Sequence, residues 1–261
     1  MTSRPSGPDY PWRLRVEHEG QMSLRLDRRG RCVRVDPKNA PSADDIVVLT
    51  GVWPEHLDGT RQAVSQGVRP TVVAPLVVLD WLRKSGELSP DSHPEGIEFD
   101  GVRIELRSFV PIPYVTPKEA LYKVQSAVLR PDRAAMRLLQ RRGYPRSQPV
   151  AFQLTLRGGG RFAYLGLALH RGTPADWLER CMRDWAKPEW LLVGVDHGHG
   201  DAILSILPGF EARHILFTDL LSELRQRLGL PTELLTPLRD RAVASGLEAD
   251  VFVSGAGLRY E

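Results

Sequence analysis

Several features that would assign a function class at once are missing from this chain of 261 residues. It has no run of 18 apolar residues, and its N-terminal segment MTSRPSGPDYP lacks the apolar stretch of a secretory signal, so we expect a soluble cytoplasmic protein that does not enter the membrane. The sequence shows no Ser/His/Asp order. It also lacks a phosphate-binding glycine loop and a dinucleotide fingerprint, because the glycines at 158–160 lie inside a predicted hairpin and do not precede a helix.

Cysteine and net charge are also sparse. The only two cysteines, Cys32 and Cys181, lie far apart in alternating apolar contexts, so we expect reduced core thiols rather than a disulfide. The formal net charge of +3 is too small to indicate a partner. The charge is uneven, however, because residues 117–146 hold eight basic residues against two acidic ones.

The chain does contain the pattern of an α/β protein. Residues 46–50 are apolar or β-branched and predict a buried strand. Pro54 breaks this run, and a polar loop with Glu55, His56 and Asp58 is expected to follow. Loops after strands are where α/β sheets usually carry their chemistry, so these side chains are the first candidates for a site.

The order of elements around this strand resembles the metallo-β-lactamase superfamily, most closely its lactonase-like branch. Predicted hairpins come first, followed by a strand ending in Asp36-Pro37, the central strand, a helix and a strand ending in Ala-Pro at 74–75. The resemblance implies a four-layer αββα sandwich in which Asp36 orients the loop after the central strand through backbone hydrogen bonds.

The same resemblance implies one main domain. It would cover residues 12–255, with a flexible tail at 1–11 and a second tail at 256–261. A basic helical insert at 116–146 interrupts it, and the family's topology places such an insert over the active site as a lid. Its arginines either bind anions or form a solvated helix face. The candidate ligand-binding residues are Arg137, Arg141 and Arg142.

The metal motif of the family is degenerate in this chain. Family members carry T-H-x-H-x-D-H after the central strand and hold zinc, which converts bound water into a hydroxide nucleophile. The matching positions run from Thr50 to His56. Gly51 and Trp53 replace two histidines, and neither residue can bind a metal. Glu55 replaces the aspartate, and only His56 matches outright.

The second half departs from the family in the same way. Leu167 stands where the family has an aspartate that bridges two metals. The loop DHGHGD at 196–201 nevertheless places two histidines between aspartates, a set of donors that suits a relocated zinc site. The candidate metal ligands are Glu55, His56, His197, His199 and Asp219.

Three functions follow from these patterns. The favoured one is a pseudoenzyme without a cofactor, a fold kept to bind a protein partner or a small anionic ligand. The alternative is a metal-dependent hydrolase of the lactonase or phosphodiesterase type with a relocated metal site, for which zinc is the candidate metal and Glu55, His56 and Asp58 are the candidate catalytic residues. The third is nucleic-acid binding through the basic residues of 117–146.

Overall fold

Two seven-stranded β-sheets organise the chain. The structure, a computed structural model, describes residues 13–16, 23–28, 31–51, 54–84, 92–94, 96–99, 102–109, 128, 148–156, 160–170, 172–185, 187–220, 225–226, 231–254 and 259–260.

The first sheet has the strand order β14-β1-β2-β3-β4-β5-β6. Neighbours from β14 to β3 are antiparallel, and those from β3 to β6 are parallel. The strands are β1 (Arg13–Val16), β2 (Leu24–Arg28), β3 (Arg31–Val35), β4 (Ile46–Val48), β5 (Thr71–Val73), β6 (Ser92–His93) and β14 (Arg259–Tyr260).

The second sheet repeats this plan in the order β13-β12-β11-β10-β9-β8-β7. Neighbours from β7 to β10 are antiparallel, and those from β10 to β13 are parallel. The strands are β7 (Gly96–Phe99), β8 (Val102–Ser108), β9 (Val150–Leu156), β10 (Arg161–Gly166), β11 (Trp190–Gly194), β12 (His214–Thr218) and β13 (Asp250–Val253).

Helices follow the parallel strands of each half. Within the described ranges, none of them has both the length and the apolar character needed to cross a membrane. They are α1 (Pro54–Ser65), α2 (Leu76–Lys84), α3 (Ala175–Asp184), α4 (Gly200–Ile206) with a 3₁₀ turn at Leu207–Phe210, and α5 (Leu235–Ala244).

The alternation of side chains along the strands decides the order of the layers. In β4, Ile46 and Val48 belong to a core cluster that both sheets share, whereas Val47 packs in a separate cluster with α1 and α2. In β11, Leu192 belongs to the shared core and Leu191 packs with residues of α3, α4 and α5. Each sheet therefore has one face on the other sheet and one on helices, which confirms the predicted αββα sandwich.

The expected state of the cysteines is also confirmed, since Cys32 and Cys181 are buried and do not form a disulfide. The predicted lid at 116–146 lies outside the described residues except for Val128, and the tail at 1–11 lies outside them entirely. The proposed domain limits, 12–255, stay a prediction.

Two predicted elements were wrong. The residues after Pro54 form the first turns of α1 rather than a polar loop, because proline lacks an N–H and its fixed φ suits the first helical position. The sequence also predicts a strand around residues 233–236, but these residues do not form one, since α5 already begins at Leu235. Pro237 is compatible with that helix because it lies in the first turn, where an N–H has no partner within the helix.

Candidate functional site

Loops from both sheets meet at one edge of the molecule, which we call the rim. Thr50 follows β4, and its carbonyl accepts a hydrogen bond at 2.8 Å from the N–H of Val150, the first residue of β9. Because β9 is antiparallel to β10, the start of β9 lies beside the carboxyl end of β10. The loops after β3, β4, β10 and β11 therefore share this edge, where α/β sheets usually carry their chemistry.

A buried carboxylate, Asp36, holds the first half of the rim together. The residue is 2% exposed. Its Oδ1 accepts a hydrogen bond from the backbone N–H of Thr50 at 2.8 Å. Its Oδ2 accepts a hydrogen bond from the Thr50 hydroxyl and lies 2.8 Å from Nδ1 of His56. Since an ionised carboxylate only accepts, Nδ1 of His56 carries a proton. Asp36 thus orients the loop through a backbone hydrogen bond, as the family resemblance implied.

The backbone of Asp36 takes an uncommon conformation to do this. Its φ of 42° lies in the left-handed region, which aspartate tolerates better than most residues. Helix α1 is held close by Gly59, where an added Cβ would lie 1.8 Å from the carbonyl oxygen of Pro37. This close approach brings His56, in the first turn of α1, onto Asp36.

The imidazole of His56 lies against Gly51. A Cβ at position 51 would come within 2.6 Å of Nε2 and 2.8 Å of both neighbouring ring carbons. Real Cβ atoms essentially never approach that closely. The ring of the one matched histidine therefore occupies space that a side chain at 51 would need, and its position depends on the glycine.

Tyr164 extends this network from the rim into the core between the sheets. The residue is 1% exposed and stacks on Phe152 with ring centroids 5.1 Å apart. Its hydroxyl is hydrogen-bonded to the side chain of Thr50. Burial raises the pKa of Tyr164 well above its usual value, and the charge of Asp36 raises this pKa further. Tyr164 therefore stays a neutral hydrogen-bond partner over the whole physiological range.

In the second half, arginines bind the carboxylates that made the loop 196–201 look like a metal site. Oδ1 of Asp196 accepts Nε of Arg225 at 2.5 Å, and these residues are 8% and 9% exposed. Asp201 pairs with Arg241, also at 2.5 Å, on the exposed side of α4. The loop is thus held by ion pairs to the chain segment that precedes and forms α5.

The two histidines of this loop have separate surroundings. His197 is partly exposed, and its Nδ1 lies 3.4 Å from Oε2 of Glu233, which also accepts the N–H of Gly198 at 3.0 Å. His199 is buried and faces His170, with ring centroids 5.9 Å apart and an interplanar angle of 73°.

His170 was missed by the sequence analysis, although its position after the end of β10 placed it at the rim. It is 2% exposed, and its Nδ1 accepts the N–H of Gly172 at 3.0 Å. Nδ1 therefore carries no proton, and the proton of the neutral ring lies on Nε2. A metal binds the unprotonated nitrogen, and here a backbone amide occupies it. His170 does not fit as a metal ligand.

Among the described residues, the candidate metal ligands His56, His197, His199 and Asp219 do not form a metal-binding group. Zinc in a catalytic site needs three protein ligands, and among the described residues no three His, Cys, Asp or Glu side chains are placed to hold a metal ion. Leu167, at the position of the bridging aspartate, packs against the core between the sheets. The donors present at the rim therefore do not fit the zinc centre that the family resemblance implies.

The remaining candidates lie on α1, after β12 and in the basic insert. Glu55 is in the first turn of α1, Asp58 is exposed on the same helix, and Asp219 follows β12. The candidate ligand-binding residues Arg137, Arg141 and Arg142 lie outside the described part of the chain. The structure therefore leaves their roles as predictions.

Several solved structures have a similar fold. Igni18, a metallo hydrolase from the archaeon Ignicoccus hospitalis KIN4/I, aligns with a TM-score of 0.60 at 11% identity, over 95% of this chain and 97% of that chain. A possible metal-dependent hydrolase from Veillonella parvula DSM 2008 aligns with a TM-score of 0.56 at 11% identity, over 95% and 98%. CmlA, a diiron β-hydroxylase from Streptomyces venezuelae, aligns with a TM-score of 0.61 at 9% identity, over 96% and 54%.

At such low identity these likenesses show the fold alone. No protein-family model matches the sequence, and no curated protein matches it.

Proposed function

Because the chain has the metallo-β-lactamase fold while its rim donors are paired with one another, we propose that it is a non-catalytic binding module of that fold. The observation that carries the proposal is the contact of His56 with Asp36 and Gly51. The only histidine that matches the zinc motif packs over the position of a lost ligand and completes a buried hydrogen-bond network. Its role in this proposal is structural.

The energetics of the second half support the same proposal. A metal at the loop 196–201 would have to draw Asp196 away from Arg225, and both residues are nearly buried. Breaking a buried ion pair leaves an uncompensated charge, which costs about 3–5 kcal/mol. With the described residues alone, a metal site there would have to offset that cost with fewer ligands than zinc requires.

The surface beside the rim favours a protein as the bound partner. Leu76 and Val77 begin α2 directly after the carboxyl end of β5, and they are 53% and 48% exposed. Exposed apolar side chains next to polar loops supply the kind of contact that protein interfaces use. We therefore propose this side of the rim as the contact surface.

Metal binding is the experiment that tests the proposal. The protein would be purified without chelators from zinc-supplemented culture, and its metal content and thermal unfolding would be measured with added zinc and with EDTA. We expect far less than one equivalent of metal and no shift in Tm. A site filled at 100 times its Kd would instead stabilise the native state by about 2.7 kcal/mol.

His56→Ala is the matched variant for this experiment. If zinc is present near one equivalent and is lost in this variant, the non-catalytic proposal is wrong. Such a result would favour the alternative, a metal-dependent hydrolase that uses His56, and hydrolase assays of the zinc-loaded protein would then test it.

One observation favours that alternative. A carboxylate that holds one nitrogen of a histidine is the usual support for a metal bound at the other nitrogen, and Asp36 holds His56 in this way. Two of the solved structures with this fold are described as metal-dependent hydrolases. The alternative requires further ligands from residues outside the described ranges or a movement of the loop 196–201.

A further inference from the structure

Strand β7 ends the second sheet, and β8 is its neighbour on one side. An edge strand presents backbone N–H and C=O groups that another chain can pair with. Proteins commonly protect such edges with proline, lysine or a β-bulge, and β7 contains none of these. Its one charged residue, Glu98, lies directly opposite Arg103 of β8. The edge of β7 is therefore a candidate contact surface.

The hydrogen bonds of β8 determine which backbone groups of β7 point outward. The N–H of Phe109, the residue after β8, donates to the carbonyl oxygen of Pro149 at 3.0 Å, on the side of β9. Successive residues of an antiparallel strand point their backbone groups to alternate neighbours, so Ile104 bonds to β7. Its partner there is Ile97. The N–H and C=O of Ile97 thus face β8, and those of the residues on either side of it face outward.

The outward groups belong to Gly96 and Glu98. Glu98 is exposed, and Gly96 is partly exposed. Within the described ranges, neither residue makes a backbone hydrogen bond outside the ladder of β7 and β8. Two N–H groups and two C=O groups are therefore accessible to a further strand.

We propose that β7 pairs with β7 of a second copy of this chain in an antiparallel arrangement. With Ile97 opposite its own copy at the two-fold axis, Gly96 of each chain lies opposite Glu98 of the other. Each such pair of residues exchanges two hydrogen bonds, so all of the outward groups are satisfied in a single register. A two-fold contact uses the same surface twice, which is why one short strand can supply both sides.

The side chains of β7 agree with this register. Ile97 packs on the core between the sheets and is partly exposed, so the two copies extend that core across the contact. Gly96 has no side chain that could collide with the facing Glu98, and an added Cβ would lie 2.2 Å from the carbonyl oxygen of Ile104. A register centred on Glu98 would place two like charges opposite one another. A register centred on Gly96 would place Glu98 opposite Pro94, which has no N–H.

The contact is short, so the dimer should be weak. Stable interfaces bury about 1,200–2,000 Å², and a pair of four-residue strands supplies only part of that area. The association should therefore be measured by sedimentation velocity from about 1 μM to about 1 mM, the range of weak dissociation constants. The weight-average mass is expected to rise from that of one chain toward that of two.

Glu98→Pro is the variant that tests the edge. It removes an outward N–H, and proline is tolerated on edge strands where the N–H faces solvent, so the ladder with β8 should persist. This variant is expected to stay a monomer over the whole range. Glu98→Gln is the matched control, because it removes the same charge and keeps the N–H, and it should dimerise at least as well as the parent protein. Circular dichroism and Tm would show that both variants are folded.

A cysteine crosslink tests the register without the proline. In a non-hydrogen-bonded pair the Cα atoms are about 4.5 Å apart, a distance that a disulfide can span, so mild oxidation should link two chains of Ile97→Cys. In Glu98→Cys the two Cα atoms would be about 7–8 Å apart, and linkage should be far slower. The native Cys32 and Cys181 are buried and should not compete.

Four outcomes would overturn the proposal. The parent protein could remain a monomer at about 1 mM. The dimer could persist in Glu98→Pro, or Glu98→Cys could link as fast as Ile97→Cys. Finally, Leu76→Ser/Val77→Ser could abolish a dimer that Glu98→Pro leaves intact, which would place the contact on α2. None of these outcomes bears on metal content, which tests the non-catalytic proposal separately.

Discussion

Replacing Asp36 with asparagine is the sharpest test of the network that holds the rim. Asparagine has nearly the same shape and also tolerates the φ of 42° found here, so the backbone is not forced to change. One oxygen remains to accept the N–H of Thr50. The other becomes an NH₂ group, which can no longer accept the hydroxyl of Thr50 or Nδ1–H of His56.

The expected loss of stability follows from these contacts. A hydrogen bond to a charged group contributes about 1.5–3 kcal/mol, and two such bonds are lost. His56 regains part of this by moving its proton to Nε2 and accepting from the new amide. We therefore expect the free energy of unfolding to fall by about 3 kcal/mol, a large part of the 5–15 kcal/mol typical of a folded protein.

Urea unfolding followed by the fluorescence of the six tryptophans would measure this change. Asp80→Asn is the control, because it removes a carboxylate whose ion pair with Arg83 is exposed, and it should change stability by less than about 0.5 kcal/mol. A double-mutant cycle of Asp36→Asn with His56→Ala should give a coupling energy of about 1 kcal/mol or more. A loss below about 1 kcal/mol in Asp36→Asn, or no coupling, would refute a structural role for the pair.

Two further predictions concern neighbours of Asp36. Gly51→Ala should lower the free energy of unfolding by about 1–3 kcal/mol, because the new methyl group overlaps the His56 ring. In the His56→Ala background the same substitution should cause little further loss of stability. Equal losses in both backgrounds would contradict this prediction. Above pH 10 the unfolded chain loses the Tyr164 proton while the native state keeps it, so this residue should lower stability by about 1.4 kcal/mol per pH unit. Below that pH, Tyr164 does not make the free energy of unfolding depend on pH. When urea unfolding is measured at a series of pH values, the stability of Tyr164→Phe should therefore fall less steeply above pH 10 than that of the parent protein.

Most of the fold was predictable because its signals are local. Continuous apolar runs marked the strands β4 and β11, and the glycines at 158–160 marked the turn between β9 and β10. One error occurred where proline was interpreted as a break. Pro54 lies in the first turn of α1, a position in which proline is compatible with the helix.

The site was less predictable because its partners are distant in sequence. The aspartates of 196–201 suggested a metal from their local spacing, but Arg225 and Arg241 bind two of them from 29 and 40 residues away. Nothing in the local pattern of the loop indicates such partners. The role of Asp36 was anticipated only because the resemblance supplied a long-range relationship that the residues alone do not contain.

At the rim, a position that would only bind a metal differs from a position whose side chain also stabilises the fold. Asp36 satisfies the N–H and hydroxyl of Thr50 and Nδ1–H of His56, so its removal would leave buried donors without an acceptor, at about 1–3 kcal/mol each. At position 167, in contrast, the apolar side chain of Leu167 packs against the core between the sheets. A scaffold can therefore exchange residues that only bind metal and still require the carboxylate that supported them. The presence of Asp36 and His56 is explained by the stability of the loop, and it does not by itself indicate that a metal is bound.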